Sequence, residues 1–223
     1  MPSLNLTRAA GVGLVATGLV AMFGAAGTVR WSTGWLFVAA LTLGLLLHRG
    51  YVARQNPAIF KKRRNIGTGT KAWDKAWLVV FWPLMLGVPV VAAVDVMRAQ
   101  GRPLPMCAWP AGAALFAAGM TTSAWAMGTN PFFEGTVRIQ PGQTVIETGP
   151  YRYIRHPGYL GLILWSLGMP LLLLSRWAIL PALTAAGWVV VRTALEDATL
   201  RRELAGYEQY VRRVRYRLAP EIW

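Results

Sequence analysis

The chain has 223 residues, of which 55% are hydrophobic and 14% charged, with a mean hydropathy of +0.39 and a formal net charge of +14. A soluble domain carries about 25% charged residues, so one soluble core cannot hide this much apolar surface, and the composition points to a polytopic helical membrane protein. The positive balance then belongs to cytoplasmic loops and anionic headgroups rather than to nucleic acid; a lone Cys107 excludes an intramolecular disulfide and a cysteine metal cluster, and having only His48 and His156 argues against a multi-histidine metal site.

Residues 8–27 form the first apolar run, rich in Ala, Gly, Val and Leu and long enough to span. No convincing small-residue cleavage site follows it, so it is taken as retained. A second span covers 31–47, with Trp31 and Trp35 at one boundary and His48, Arg49 and Tyr51 at the other. A polar loop over 49–75 contains Lys61, Lys62, Arg63 and Arg64. The third span, 73–96, is expected to bend near Pro83 and Pro89. Residues 98–105 are a polar turn, 106–127 a fourth span, and 129–157 a second long polar loop. Two further apolar segments, 158–174 and 177–194, are joined by Ser175-Arg176, a connection so short that they must form an antiparallel hairpin. From 195 the chain is polar and charged and reads as helix as far as Pro220.

The expected fold is therefore all-α, with about six membrane-crossing helical segments, the last two a tight hairpin, followed by a cytoplasmic C-terminal helix. With six crossings, 19 of the 23 basic residues fall on one side, and the other side holds Arg30, Arg98, Arg102 and Arg176. This asymmetry places both termini and both long loops in the cytoplasm, at an inner membrane.

The most concentrated chemistry lies in the second long loop: Gly149-Pro150-Tyr151-Arg152-Tyr153-Ile154-Arg155-His156-Pro157-Gly158-Tyr159-Leu160-Gly161. Gly149 and Pro150 mark a turn. Pro157, which lacks an amide hydrogen, suits the first turn of the helix that follows. Polar side chains at the mouth of an apolar helix suit a polar ligand held beside lipid; they also suit an interfacial anchor. The second block follows the last span, where Arg192, Glu196, Thr199 and Glu203 share a helical stripe. Ionisable groups at the end of a span are functional suspects, although a solvated face with ordinary ion pairs has the same spacing.

In this order, the Arg155-His156-Pro157-x-Tyr159-x-Gly161 element, an apolar hairpin, Glu196-Asp197-Ala198-Thr199-Leu200, and Leu204-Ala205-Gly206-Tyr207-Glu208-Gln209-Tyr210 resemble the isoprenylcysteine carboxyl methyltransferase family, itself similar to the membrane phospholipid methyltransferases. The resemblance covers about 130–223, and it divides the chain into N-terminal transmembrane helices, 1–129, and a methyltransferase core, 130–223. It implies S-adenosylmethionine as methyl donor, S-adenosylhomocysteine as product, and a lipophilic acceptor: a prenylated or other lipid partner, or a small lipophilic molecule in the bilayer. The family pattern usually has two glutamates where this chain has Glu196-Asp197; the shorter Asp197 moves its carboxylate, so Glu196 is the safer choice.

On that resemblance, Arg155 and His156 would hold the donor's carboxylate, Glu196 its ammonium or ribose hydroxyls, and Tyr153, Tyr159, Tyr207 and Tyr210 its adenine or sulfonium. Pro157, Gly161 and Asp197 complete the implied cofactor set, and no metal is involved. For each tyrosine, structural packing stands beside cofactor contact. Arg192 and Glu196 are the catalytic candidates, Arg192 orienting an acidic acceptor or else snorkelling to the interface. Two other readings compete: an NADPH-dependent sterol-type membrane reductase, whose tail the segment 214–223 is similar to, and a non-enzymatic membrane scaffold that binds lipid headgroups.

Overall fold

The computed structural model describes residues 17–62, 69–98 and 103–223. Part of the expected first span, residues 8–16, and the basic residues Arg63, Arg64 and Arg102 lie outside these. The described residues form helices and no strand: α1 (Thr17–Ala26), α2 (Ser32–Gln55), α3 (Ile59–Lys62), α4 (Ala72–Met97), α5 (Ala108–Thr129), α6 (Pro157–Leu172), α7 (Ile179–Glu203) and α8 (Tyr207–Arg213), with a 3₁₀ turn at Gly149–Arg152 before α6. Helices α2, α4 and α7 are long and apolar enough to cross a membrane; α1 and α6 are shorter apolar helices. The all-helical architecture with long apolar helices is the expected one; of the about six crossings expected, three helices among the described residues have the length and hydropathy of a span.

The helix ends differ from the hydropathy boundaries. α2 runs on through His48, Arg49 and Tyr51 to Gln55, where the Asn56 side chain donates to the carbonyls of Met127 and Asn130. α7 carries the charged stretch to Glu203 without a break. Hydropathy ends where the solvent changes; the helix ends where the backbone turns. α4 is one continuous helix through Pro83 and Pro89.

α5 and α6 pack backbone to backbone. A Cβ on Gly119 would lie 2.5 Å from the Gly161 carbonyl, and one on Gly168 2.7 Å from the Phe116 nitrogen. Small residues allow this approach, which van der Waals contact then holds in the absence of a hydrophobic driving force between helices. α4 meets α7 through reciprocal indole bonds, Trp77 Nε1 to the Trp188 carbonyl at 2.7 Å and Trp188 Nε1 to the Trp77 carbonyl at 3.2 Å. The predicted hairpin forms, and the buried Asp95 holds its turn by accepting from Ser175 Oγ at 2.6 Å and the Trp177 amide at 3.2 Å.

The C-terminal segment is not the continuous helix expected. α7 stops at Leu204 and the chain turns at Gly206, whose φ of 82° is in the left-handed region. After α8 the backbone extends, and the carbonyls of Tyr216 and Arg217 accept from the amides of Arg155 and His156 at 3.0 and 2.9 Å. The tail is thereby laid across the motif loop.

Candidate functional site

A cavity of about 520 Å³ opens between α4, α5, α6, α7 and the loop 130–148, with Trp77, His156, Tyr159, Arg192, Glu196 and Tyr207 in its lining. Pro157, as predicted, is the first residue of α6, and Gly149, at φ 57°, starts the turn before it. Between these two residues Tyr151, Ile154, Arg155 and His156 are buried, while Arg152 and Tyr153 are exposed.

Consecutive acids of α7 do different work. Asp197 is wholly buried and accepts from Arg155 Nε at 2.8 Å, Tyr207 Oη at 3.0 Å and Arg217 Nε at 3.1 Å, and it pairs with His156 Nε2 and Arg201 Nε, each at 3.2 Å. Glu196 is partly exposed, lines the cavity, and receives the Tyr159 hydroxyl on Oε2. Asp197 is therefore the buried member of the pair, and Glu196 is the one that faces the cavity. Asp197 is the hub that ties motif loop, α7 and tail together. A buried carboxylate needs such partners, because desolvation penalises it unless paired and hydrogen-bonded.

Arg155 is drawn into the same hub. Besides its bonds to Asp197, its Nη1 donates to the carbonyls of Val214 and Arg215 at 2.8 and 2.6 Å. These contacts account for most of the five donors of a guanidinium, so the carboxylate-holding role expected of Arg155 has little left to work with. Burial, reinforced by the Asp197 carboxylate, pushes the Tyr207 phenol above its ordinary range and keeps it a donor. Burial does the same for Tyr210, which donates to the Tyr151 carbonyl at 2.6 Å.

Arg192 faces the cavity from the middle of a buried network. Its Nη2 donates to the Gly135 carbonyl at 2.9 Å and lies 2.9 Å from Asp74 Oδ1, while Asp74 Oδ2 accepts from the Val137 amide at 2.7 Å. The guanidinium sits over the Trp77 ring at 4.3 Å and near the Tyr159 ring at 5.4 Å. Its Nε is buried with no hydrogen-bond partner.

Of the predicted residues, Arg155, His156, Tyr159, Gly161, Arg192, Glu196, Tyr207 and Tyr210 reach the cavity. Tyr153 does not: the residue is 61% exposed. Pro157 and Asp197 act behind the lining, and Gly161 serves the α5–α6 contact. Asp74 and Trp77 were missed. Their signal was present, since Asp74 and Asp95 are the only carboxylates before Glu134 and both fall in one apolar span. A second cavity, of about 640 Å³ and mostly apolar, lies between α2 and α5 and shares His48 and Met120 with the first.

Residues 112–202 match the profile of the isoprenylcysteine carboxyl methyltransferase (ICMT) family, a span of less than half the chain. The uncharacterized protein YpbQ of Bacillus subtilis (strain 168) is 27% identical over 139 residues, which is 62% of this chain and 78% of that protein. The solved structure of the eukaryotic intramembrane Ras methyltransferase ICMT, without a monobody, aligns at 17% identity with a TM-score of 0.47, over 94% of this chain and 74% of its own. The matched segment is the one that supplies Arg155, His156, Tyr159, Arg192, Glu196 and Asp197, and over it the chain is similar to the isoprenylcysteine carboxyl methyltransferase family.

Proposed function

We propose that this protein is an integral membrane methyltransferase that draws its methyl group from S-adenosylmethionine and passes it to a lipophilic acceptor, a carboxylate of isoprenylcysteine type or a lipid headgroup. One observation carries the reading: a cavity of about 520 Å³, lined in large part by the family-matched segment, presents a buried Arg192 with an unpartnered Nε together with the Glu196 carboxylate. Ligand pockets run from about 300 to 1,000 Å³ and combine apolar walls with a few convergent polar groups.

The residues present fit such a donor. Arg192 Nε is a buried donor in want of an acceptor, which the donor's carboxylate supplies. Glu196 suits an ammonium or a ribose diol. Trp77, Tyr159, Tyr207 and Tyr210 give ring faces for adenine or sulfonium. When bound, such a donor would supply an electrophilic methyl on a sulfonium sulfur, whose transfer to the acceptor would leave a neutral thioether. Arg192 and Glu196 orient the two partners and the surrounding rings exclude water. Positioning of this kind can supply roughly 7–11 kcal/mol. A carboxylate acceptor is already ionised and needs no base. An amine acceptor must lose a proton, for which Glu196 Oε1, the oxygen not held by Tyr159, is available. The apolar cavity that meets the first at His48 and Met120 supports a lipophilic acceptor.

Calorimetry on the detergent-purified protein should show binding of S-adenosylmethionine and S-adenosylhomocysteine, and tritiated donor should label a lipid extract. Binding of NADPH with indifference to both would replace this reading with the reductase. The basic asymmetry of the loops supports a cytoplasmic site in an inner membrane. Cysteines introduced at Lys62, Gln140 and the C-terminus, after Cys107 is replaced, should be shielded from an impermeant thiol reagent in intact cells.

A further inference from the structure

Asp74 belongs to α4, outside the segment that carries the family pattern, and it does not line the cavity. It stands behind Arg192. The carboxylate is wholly buried, one oxygen lying 2.9 Å from Arg192 Nη2 and the other accepting from the Val137 amide at 2.7 Å. Arg192 donates in turn to the Gly135 carbonyl, two residues before Val137 in the same loop. One acid thus fixes the guanidinium and the loop that roofs the cavity.

It also sets the charge the ligand meets. Glu134 is paired with Arg138, and Asp197 is ringed behind the lining by Arg155, Arg201 and Arg217. The remaining group, Asp74, Arg192 and Glu196, has two carboxylates for one guanidinium. Without Asp74 it would be neutral; with Asp74 it carries one net negative charge. A sulfonium donor and its thioether product differ by one positive charge, held at the sulfur.

We propose that Asp74 is a positioning residue that acts through Arg192, and that its charge makes the cavity prefer the sulfonium methyl donor over the neutral thioether left after transfer. The inference rests on the proposed use of S-adenosylmethionine. A product that loses this charge loses an attraction and is released, while the donor is retained. The carboxylates do this without touching the reacting atoms.

The experiment is calorimetry of the full-length protein in detergent with S-adenosylmethionine and S-adenosylhomocysteine separately, on the wild type, Asp74→Asn and Asp74→Glu, with thermal melting alongside. Asparagine keeps an oxygen for the Val137 amide and loses the charge. The affinity ratio of donor to product should fall roughly ten-fold in Asp74→Asn, the size of one unit-charge interaction at about 10 Å in an effective dielectric of about 20. Asp74→Glu keeps the charge and shifts its place, so both affinities should weaken while their ratio stays within about two-fold of wild type. A folded Asp74→Asn in which both affinities change equally makes Asp74 a structural tether and overturns the proposal. If Asp74→Asn does not fold, Asp74→Glu decides alone: a retained ratio supports the charge role, and a collapsed ratio overturns it. A wild type that binds neither ligand overturns the proposed donor itself, which the variants' ratio cannot do.

Discussion

Glu196 and Asp197 are neighbours on α7, yet they lie about 100° apart around the helix and meet different surroundings. Asp197 points to the motif loop and the tail and is saturated by Arg155, Tyr207, Arg217, His156 and Arg201. Glu196 points into the cavity, where Tyr159 takes one oxygen. A saturated acid is a structural joint, because every lone pair is spoken for before a ligand arrives. An acid with an oxygen in reserve can answer a ligand. The same division separates the two arginines: Arg155 is spread over Asp197 and two tail carbonyls, while Arg192 keeps an unpartnered Nε.

Removing the joint should have the largest effect. Asp197→Asn leaves the buried Arg155 and its neighbours facing a neutral amide, and breaking a buried ion pair by removing one partner costs about 3–5 kcal/mol. Thermal melting in detergent should show a marked drop, with the tail released and more readily cut by protease near Arg213. A melting temperature close to wild type would remove Asp197 from the centre of the fold.

Glu196→Gln should act oppositely. The glutamine still accepts from Tyr159, so the fold is kept, but the charge offered to a cationic ligand is lost. Loss of a charge-assisted hydrogen bond costs about 1.5–3 kcal/mol, or about 10- to 150-fold in cofactor affinity by calorimetry. Normal affinity with a lowered melting temperature would make Glu196 the structural acid and erase the contrast with Asp197.

Much of this division was legible in the sequence, and the rest was not, for identifiable reasons. Gly149, Pro150 and Pro157 announce the turn and the start of α6 through backbone restrictions that are local. The hairpin at Ser175-Arg176 follows from loop length alone. The choice between Glu196 and Asp197 is not local: it depends on where the tail returns, and that is fixed by Gly206 and by the pairing of Tyr216 and Arg217 with Arg155 and His156. Periodicity read the tail as one helix because it records apolar spacing and not a single left-handed glycine. Asp74 shows the reverse failure. An acid in an apolar span was visible, but its partner Arg192 lies 118 positions along the chain, and no local pattern joins the two.

The tyrosines sharpen the comparison at high pH. Tyr151, Tyr207 and Tyr210 all have phenols pushed up by burial. Below about pH 10 folded and unfolded tyrosines are both protonated, so stability is insensitive to them. Above it the unfolded phenols ionise while the buried ones resist, and folding stability should fall steadily as pH rises. Melting temperatures across about pH 9–11 should decline, and Tyr207→Phe should flatten part of that decline. At neutral pH the same variant removes one donor to Asp197, costing about 0.5–1.5 kcal/mol. A decline unchanged in the phenylalanine variant would mean that Tyr207 ionises as freely folded as unfolded.

Tyr153 should have the smallest effect, and it tests where the site stops. It sits inside the motif, two residues before Arg155, and resemblance alone assigns it to the cofactor. Yet the residue is 61% exposed and absent from the cavity lining. The backbone explains this: Tyr153 follows the 3₁₀ turn Gly149–Arg152, and Tyr151 is buried while Arg152 and Tyr153 face outward. An exposed ring beside basic residues at the end of a membrane helix suits the headgroup level, where tyrosine is common. Tyr153→Ala should therefore leave cofactor affinity unchanged and move stability by no more than about 0.5 kcal/mol. Calorimetry with S-adenosylhomocysteine reads the first and thermal melting the second. A ten-fold loss of affinity would mean that ligand binding turns this part of the loop inward, and the boundary between joint and site would then have to move to include it.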